Sequence, residues 1–293
     1  MDLADRLLQL ALSGLAMGTI YGIVGLGFTI IYNATGVINF AQGEFLMLGG
    51  LIAVSLMAAG APIIAALLVA TVITAAAGLL LERLAIRPLS GSPVIGMITV
   101  TIGASVLFRG VAKFLWGPNA QRLQAFSGHE PVHVGGAVLE PQELWVAGTA
   151  LLIVAGTQLF FNYTIIGKAM RACAINRAAA RLAGINVERM TLLAFGLSAG
   201  ISGLAGVVLA PKTMVSWATG TPLAVKGFCA AIVGGLGNGV GAVVGGLLVG
   251  MLESLGAGLI NSGYKDAFAL VVLLLVLFVR PSGLLGRKSA EGL

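Results

Sequence analysis

The stretch HEPVH, residues 129–133, has the residue types and spacing of a zinc-dependent protease site. In such a site two histidines on one helix face bind Zn²⁺, while the glutamate activates a water molecule. Here Pro131 lies inside the motif and glycines flank it, so a helix is not expected. The chain has no other histidine, so a third ligand would have to be a carboxylate. We therefore predict a polar external loop here and no metal site.

Other catalytic patterns are also missing from the sequence. The glycine-rich stretches 234–246 and 283–289 lack the spacing of a phosphate-binding loop, so the chain cannot hydrolyse ATP by a loop of its own. It has neither a pair of catalytic carboxylates nor a Ser/His/Asp grouping. Its basic residues form no long run, which argues against a nucleic-acid partner. We expect no catalytic residue, no cofactor and no enzyme activity.

Composition places the chain in a membrane. Of its 293 residues, 58% are hydrophobic and 10% are charged, and its mean hydropathy is +1.02. Soluble domains carry about 25% charged residues, so this chain cannot cover a globular surface with polar groups. The apolar runs are continuous rather than alternating, which favours helices over a β-barrel. The prediction is an all-α polytopic membrane protein with a single transmembrane domain over residues 1–293.

Apolar segments indicate how many helices the domain has. A helix needs about 20 mostly apolar residues to cross a bilayer, and about eight segments meet that need. A shorter, glycine-rich segment, 224–236, is predicted to be a short, broken membrane helix. The predicted spans are roughly 7–32, 44–60, 62–81, 93–115, 143–163, 190–210, 239–260 and 264–280.

Small residues recur at every fourth position within several of these spans. At that spacing they line one helix face and let two helix backbones approach closely in lipid. We therefore predict close helix packing at these faces, which comprise Gly14, Gly18 and Gly22, then Gly196 and Gly200, then Ala242, Gly246, Gly250, Ser254 and Gly258.

Basic residues predict the orientation in the membrane. Cytoplasmic loops carry an excess of Lys and Arg, and the strongest basic segments are 82–92, 164–189 and the tail from Arg280. All three are predicted to be cytoplasmic. The loop 116–142 and the acidic N-terminus are then external.

Two polar interruptions break the apolar pattern, at residues 33–45 and 233–239. The first is either a turn at the membrane surface or a buried non-helical segment, which membranes tolerate only inside protein or beside a cavity. Interrupted apolar segments in both halves of a chain point to a transport site. Glu253 lies within an apolar segment, where an acid is either functional or reaches the membrane interface.

The stretch 167–190 gathers five basic residues and a single acid, Glu188. Its alanine-rich core favours a helix, which Gly184 ends. Asn186 is placed to cap the next helix, and Glu188 suits that helix's first turn. The charge alone is explained by topology and anionic lipid. The helical form and defined turn favour a docking surface for a cytoplasmic partner.

With these residues in view, the chain resembles the permease subunits of branched-chain amino acid ABC importers, the LivH-like group. The matching segments occur in order and cover most of the chain, while loop 117–142 has no match. They are GTIYGIVGLGFTIIYNATGVINFAQGEFLMLG (18–49), GKAMRACAINRAAARLAGIN (167–186), AFGLSAGISGLAGVV (194–208), KGFCAAIVGGLGNGVGAVVGGLLVGMLE (226–253) and YKDAFALVVLLLVLFVRPSGLLG (264–286).

The resemblance implies a permease in the bacterial inner membrane for branched-chain or similar small amino acids. It implies a second homologous permease, two cytoplasmic ATPase subunits and a periplasmic binding protein as partners. Permeases of this group for urea, amides or other small acids remain alternatives, as does a stand-alone secondary transporter. The residues it implies for ATPase coupling are Arg171, Ala172, Ala174, Gly184, Ile185 and Asn186. Those it implies for the translocation path or gate are Asn39, Gln42, Glu44, Gly234, Gly235, Gly237 and Asn238.

Overall fold

A computed structural model of the protein describes residues 3–89, 93–128, 130–134 and 137–286, and nearly all of its regular structure is helical. Its α-helices are α1 (Leu3–Thr35), α2 (Gln42–Ala58), α3 (Ile63–Leu81), α4 (Val94–Trp116), α5 (Pro141–Tyr163), α6 (Ile165–Ile175), α7 (Arg177–Leu182), α8 (Val187–Leu209), α9 (Gly220–Gly234), α10 (Gly239–Leu259) and α11 (Lys265–Val279). A π-helical turn, Glu82–Ile86, and 3-10 turns, Arg87–Leu89 and Ser262–Tyr264, adjoin them. An antiparallel hairpin joins β1 (Val132–Val134) to β2 (Ala137–Leu139).

The polytopic all-α prediction is confirmed, with one change in how the spans divide. Among the described residues seven helices are long and apolar enough to cross a membrane. The predicted span 44–60 is α2, which has only 17 residues. The predicted broken helix 224–236 is wrong in form, because α9 runs without interruption from Gly220 to Gly234. Pro222 lies in the first turn of α9, where a missing N–H costs nothing, so the helix begins earlier than hydropathy suggested.

The two ends of the helix bundle differ in what they carry. At one end, which we call the loop end, Gln9 of α1 pairs with the backbone of Val138 in β2, through bonds of 2.9 Å and 2.7 Å. There too Gln121 forms an isolated bridge with Val215. At the other, the basic end, Arg87 pairs with Glu188 at 2.5 Å. The predicted basic loops therefore share one end, and which membrane face each end touches stays a prediction.

Burial divides the helices into an inner and an outer set. In the most apolar stretch of each helix, 83% of the residues are buried in α1 and 78% in α8. In the last membrane-spanning helix, which contains α11, only 6% are buried. Helix α2 is also buried over most of its length. The outer helices α3, α4, α5 and α11 instead expose large apolar side chains. An apolar outer surface of this kind suits lipid or a partner helix rather than water.

The most extensive helix contact among the described residues joins α1 to α10, and glycines line it. A Cβ atom added to Gly18 would lie 2.7 Å from the carbonyl oxygen of Gly246, and one added to Gly250 would lie 2.4 Å from Gly18 Cα. The predicted small-residue faces of the first span and the span near the chain's end therefore pack on one another. Helices α2 and α8 meet in the same way, since a Cβ on Gly206 would lie 1.9 Å from Leu46 O. No larger side chain fits at these positions.

Replacing Gly18 by leucine is expected to separate α1 from α10 and destabilise the protein by about 1–3 kcal/mol or more, the usual cost of overpacking. The matched control is Gly103→Leu in α4, because nothing lies within 4 Å of a Cβ added there. Thermal unfolding of the two purified variants in detergent measures the difference. Equal melting temperatures for both variants would contradict the α1–α10 contact.

Candidate functional site

The first polar interruption lies inside the bundle. Helix α1 continues through Asn33 to Thr35, and the non-helical segment is only residues 36–41. Asn39 is 1% exposed, and its Oδ1 accepts a hydrogen bond from Ala41 N at 3.1 Å, which forms a local turn. Phe40 N donates to Thr101 Oγ1 of α4 at 3.2 Å. Protein therefore surrounds the Asn39 side chain, while the depth of this segment in the membrane stays a prediction.

Gln42, the first residue of α2, joins three helices through its side-chain amide. Its Nε2 donates to Ser202 Oγ of α8 at 2.6 Å. Ser198 Oγ, also of α8, lies 3.0 Å from Gln42 Oε1 and 2.9 Å from the carbonyl oxygen of Gly27 in α1. Gly27 has no room for a side chain, since an added Cβ would lie 2.1 Å from Gln42 Nε2. Because both its oxygen and its nitrogen have a partner on α8, this amide fixes where α2 begins.

Glu44 lies in the first turn of α2 and is 1% exposed. Its Oε1 accepts hydrogen bonds at 2.9 Å from Ser105 of α4 and from Thr221 of α9. Arg109 Nε lies 3.7 Å from the same oxygen. The carboxylate therefore ties α2, α4 and α9 together, while its Oε2 has no hydrogen-bond partner among the described residues.

The N-terminal ends of α2 and α9 meet at Glu44. A Cβ on Gly43 would lie 2.1 Å from Gly220 O, so the two helix starts are in backbone contact. Free N–H groups at a helix start carry partial positive charge and favour an anion. Short membrane helices whose N-termini converge on one point are the arrangement that transporters use around a substrate or ion. This point is the first candidate functional site.

The second interruption, Gly234 to Asn238, lies apart from the first. It is a turn between α9 and α10 at the basic end, where Gly235 and Gly237 adopt φ values of 106° and 96°. Only Asn33 links it to the first interruption region, through Nδ2 donating to Gly237 O at 2.9 Å. Six residues, or about 9 Å of helix rise, separate Asn33 from Gly27, which contacts Gln42. The two predicted groups of path residues are therefore not brought together.

The C-terminal strap, which we define as residues 281–286, covers this second turn. Leu284 N and Leu285 N donate to Val233 O and Gly234 O at 2.9 Å and 3.0 Å. Asn238 accepts from Gly241 N through Oδ1 and so caps α10, while its Nδ2 donates to Leu285 O. The glycines here serve a tight turn and close backbone contact with the strap.

Glu253 lies in an ionic cluster that joins four helices and whose outer members, Asp266 and Lys265, are exposed. Lys226 of α9 lies 2.9 Å from Glu253 Oε1 and 2.8 Å from Asp266 of α11. Lys265 Nζ is 3.5 Å from the same Glu253 oxygen, and Tyr21 of α1 donates to it at 3.1 Å. Glu253 is 1% exposed, so protein encloses its side chain, while its depth relative to the membrane interface stays a prediction.

The basic stretch folds as two helices rather than the single one predicted. Asn176 separates α6 from α7, and its Oδ1 accepts from Ala179 N at 3.0 Å. An asparagine within a helical run competes for backbone N–H groups, and here it caps a new helix. The predicted stop and cap are confirmed, since Gly184 has φ 82° and Asn186 caps α8 through Arg189 N.

The predicted coupling residues lie at the basic end. Arg171, Ala174, Gly184 and Asn186 are exposed, and Ala172 and Ile185 are half-buried. Beneath them Cys173 packs with Ala180 and Val187, and burial raises the pKa of the Cys173 thiol. Two large apolar side chains, Ile175 and Leu182, are 80% and 91% exposed beside the arginines. This mixture of basic and apolar side chains is typical of a protein-docking surface.

The described part of the HEPVH stretch is not helical. His133 lies in strand β1 and Glu130 is exposed, whereas a zinc site of this type needs a helix. His129 lies outside the described residues. Within the part of the chain that the structure describes, no three His, Cys, Asp or Glu residues come together as a metal site.

Several residues of these clusters were not predicted from sequence. Thr101, Ser105 and Arg109 recur every four residues along the mostly apolar α4, so they share one face of that helix. This spacing is visible in the sequence and could have predicted the cluster. Lys226 in an apolar segment was another, because a buried lysine requires an acidic partner. The sequence contains no such signal for Thr221, since a threonine beside a proline is equally typical of a loop.

Comparison with known proteins finds relatives that match most of this chain. The sequence profile described as branched-chain amino acid transport system / permease component matches residues 10–277. The chain is 32% identical to the high-affinity branched-chain amino acid transport system permease protein BraD of Pseudomonas aeruginosa, and equally to LivH of Escherichia coli K12, over 97% of each chain. A solved structure, PsaBC from Streptococcus pneumoniae in complex with Fab, matches 92% of the chain at 16% identity and a TM-score of 0.49.

Replacing Lys226 by methionine is expected to destabilise the protein by about 3 kcal/mol, because it removes the closest cation from a buried carboxylate. The double variant Lys226→Met/Glu253→Gln should recover most of that loss, since no buried charge is then left over. Denaturant unfolding in detergent measures both, with exposed Lys168→Met as the control. A double variant that is less stable than Lys226→Met would contradict the pairing.

Proposed function

The chain belongs to the branched-chain amino acid transport system permease family, and from that premise we propose that it carries branched-chain or similar small amino acids across the bacterial inner membrane. It is an ABC transporter permease and a multi-pass membrane protein. The observation that carries the substrate proposal is the full-length similarity to BraD and LivH, which are named for branched-chain amino acid transport. Because the match covers 97% of each of those chains, it is not confined to a part of the permease that lies away from the proposed translocation path.

The proposed assembly is a heteromeric importer. Two cytoplasmic ATPase subunits bind at the basic end, a second homologous permease packs beside this one, and a periplasmic binding protein delivers substrate at the loop end. The need for separate ATPases follows from the sequence, which contains no phosphate-binding loop. The exposed Ile175 and Leu182, flanked by arginines, support ATPase docking at α6 and α7.

The contacts of α6–α8 suggest how motion at the docking surface reaches the membrane. Arg177 at the start of α7 donates to the carbonyl oxygen of Ala34, in the last turn of α1. Glu188 at the start of α8 pairs with Arg87, just beyond α3. A displacement of this surface therefore acts directly on α1 at the point where the chain breaks before α2. Coupling of two sites requires such a contiguous set of contacts.

The proposed translocation path runs past the starts of α2 and α9. Asn39, Gln42 and Glu44 lie there, and Glu44 is held by donors from two further helices. Movement of α4 or α9 would change which donors reach its carboxylate. Gly234 to Asn238 form the hinge of α9 and α10 at the basic end, so their proposed role is that of a gate rather than substrate contact.

Uptake of radiolabelled leucine by intact cells tests the proposed function. A strain lacking the gene for this chain should lose ATP-dependent leucine uptake, and expressing the chain should restore it. Uptake that persists without the chain, or that continues after ATP is exhausted while an ion gradient is kept, would contradict the proposal.

Gly184→Val is expected to abolish this uptake while the protein still accumulates in the membrane. A β-branched residue disfavours the positive φ of Gly184, although nothing lies within 4 Å of an added Cβ. The defect is therefore one of backbone angle, and Gly184→Asn should retain much of the uptake because asparagine tolerates this region. Normal uptake by Gly184→Val would show that the turn does not serve coupling.

A further inference from the structure

The elbow between α5 and α6, which we define as residues 162–171, lies where a membrane-spanning helix meets the basic end. Helix α5 has 23 residues, or about 35 Å of helix rise, while the hydrocarbon core of a bilayer is about 30 Å thick. The last turn of α5 therefore reaches the headgroup region. Tyr163 ends this helix and is 76% exposed, and tyrosine is enriched at that depth in membrane proteins.

An exposed apolar stripe of α5 leads to the elbow. Leu152, Leu159 and Tyr163 follow one another at spacings of seven and four residues, so they share one helix face, and all three are exposed. Gly156 lies on the same face between the two leucines, and no atom of the described residues lies within 4 Å of a Cβ added there. The stripe therefore contains a shallow open groove, which suits an acyl chain.

The elbow carries two exposed cations and no acid. Between Glu143 and Glu188 the sequence has neither aspartate nor glutamate. Lys168 is exposed and forms no ion pair with the described residues. Arg171 is also exposed, and its Nη1 donates to the neutral Oδ1 of Asn162 at 2.9 Å. That bond holds the guanidinium beside the last turn of α5 without neutralising its charge.

The two cations and an apolar side chain share the outer face of α6. Ile165, Lys168 and Arg171 are three residues apart, so they are neighbours on the helix surface, and Ile165 is 86% exposed. The opposite face of α6 is buried through Gly167, Met170 and Cys173. The outer face thus presents an apolar side chain next to the end of α5, followed by positive charge. Long basic side chains at this level place their charges among lipid headgroups.

We propose that the elbow is a binding site for one anionic phospholipid. Its phosphate lies between Lys168 and Arg171, and an acyl chain follows the stripe of α5 over Gly156. The charge of the site selects an anionic headgroup over a zwitterionic one, because each Lys or Arg near the surface adds attraction to anionic lipid.

This site is separate from the surface proposed for ATPase docking. Ile175, an exposed apolar side chain of that surface, lies ten residues beyond Ile165, which is about 15 Å of helix rise. Arg171, a proposed coupling residue, lies between the two. A bound lipid therefore anchors the start of α6 to the membrane while its far end meets the partner. The inference goes beyond the proposed function and does not depend on the substrate.

Native mass spectrometry of the purified chain in detergent, titrated with dioleoyl phosphatidylglycerol, tests the site. Wild type should bind its first phosphatidylglycerol more tightly than its first dioleoyl phosphatidylcholine, which has the same acyl chains. Loss of one cation in Lys168→Gln should weaken the first phosphatidylglycerol about five-fold. The double variant Lys168→Gln/Arg171→Gln should weaken it about twenty-five-fold, if the two charges act independently. Neither variant should change the affinity for phosphatidylcholine.

The matched control is Arg181→Gln, which removes one exposed cation from the same basic stretch but lies on α7, beyond the break at Asn176. It should bind phosphatidylglycerol like wild type, and so should Lys168→Arg, which keeps the charge at the elbow. Equal affinity of wild type for the two lipids, or equal losses in Arg181→Gln and Lys168→Gln, would overturn the site. Displacement of the lipid by glycerol 3-phosphate would also overturn it, because the elbow would then bind a soluble anion rather than a phospholipid.

Discussion

Direct backbone contact between α1 and α10 is the constraint on which the rest of the structure depends. Lipid offers no hydrophobic force between helices, so packing must come from close approach. Gly18 and Gly246 let the two backbones touch, and no other residue would fit. With α1 held there, its remaining faces are free to meet α9 at Gly25 and α8 at Gly27. The inner helices are thus arranged around one glycine-lined seam.

The close packing of these helices determines where polar groups can lie inside so apolar a chain. A buried charge persists only where several helices supply partners at once. Glu44 receives donors from α4 and α9, and Glu253 receives them from α1 and α9. Each cluster therefore links an inner helix to a more exposed one. Relative movement of these helices cannot occur without exchanging hydrogen bonds at one carboxylate or the other.

Sequence alone predicted those features that depend on neighbouring residues. The continuous apolar runs predicted most of the helices. The residue types of Gly184 and Asn186 predicted the turn and the helix cap at these positions. The break between α6 and α7 at Asn176 also depends on neighbouring residues. The strong helix propensity of the surrounding alanines nevertheless favoured the prediction of a single helix. The burial of Gln42 and Glu44 was not predictable, because a surface turn and a buried break have the same composition. Tyr21 and Glu253 are 232 positions apart, so no local pattern could pair them.

The C-terminal strap has a consequence for how the protein is made. Residues 281–286 leave the ribosome after every helix of the bundle, yet Leu284 and Leu285 supply the N–H groups that satisfy Val233 and Gly234. Until then the end of α9 has carbonyl oxygens without partners, next to the turn that α10 needs. The turn between α9 and α10 therefore reaches its full set of hydrogen bonds only after the C-terminal strap has been synthesised.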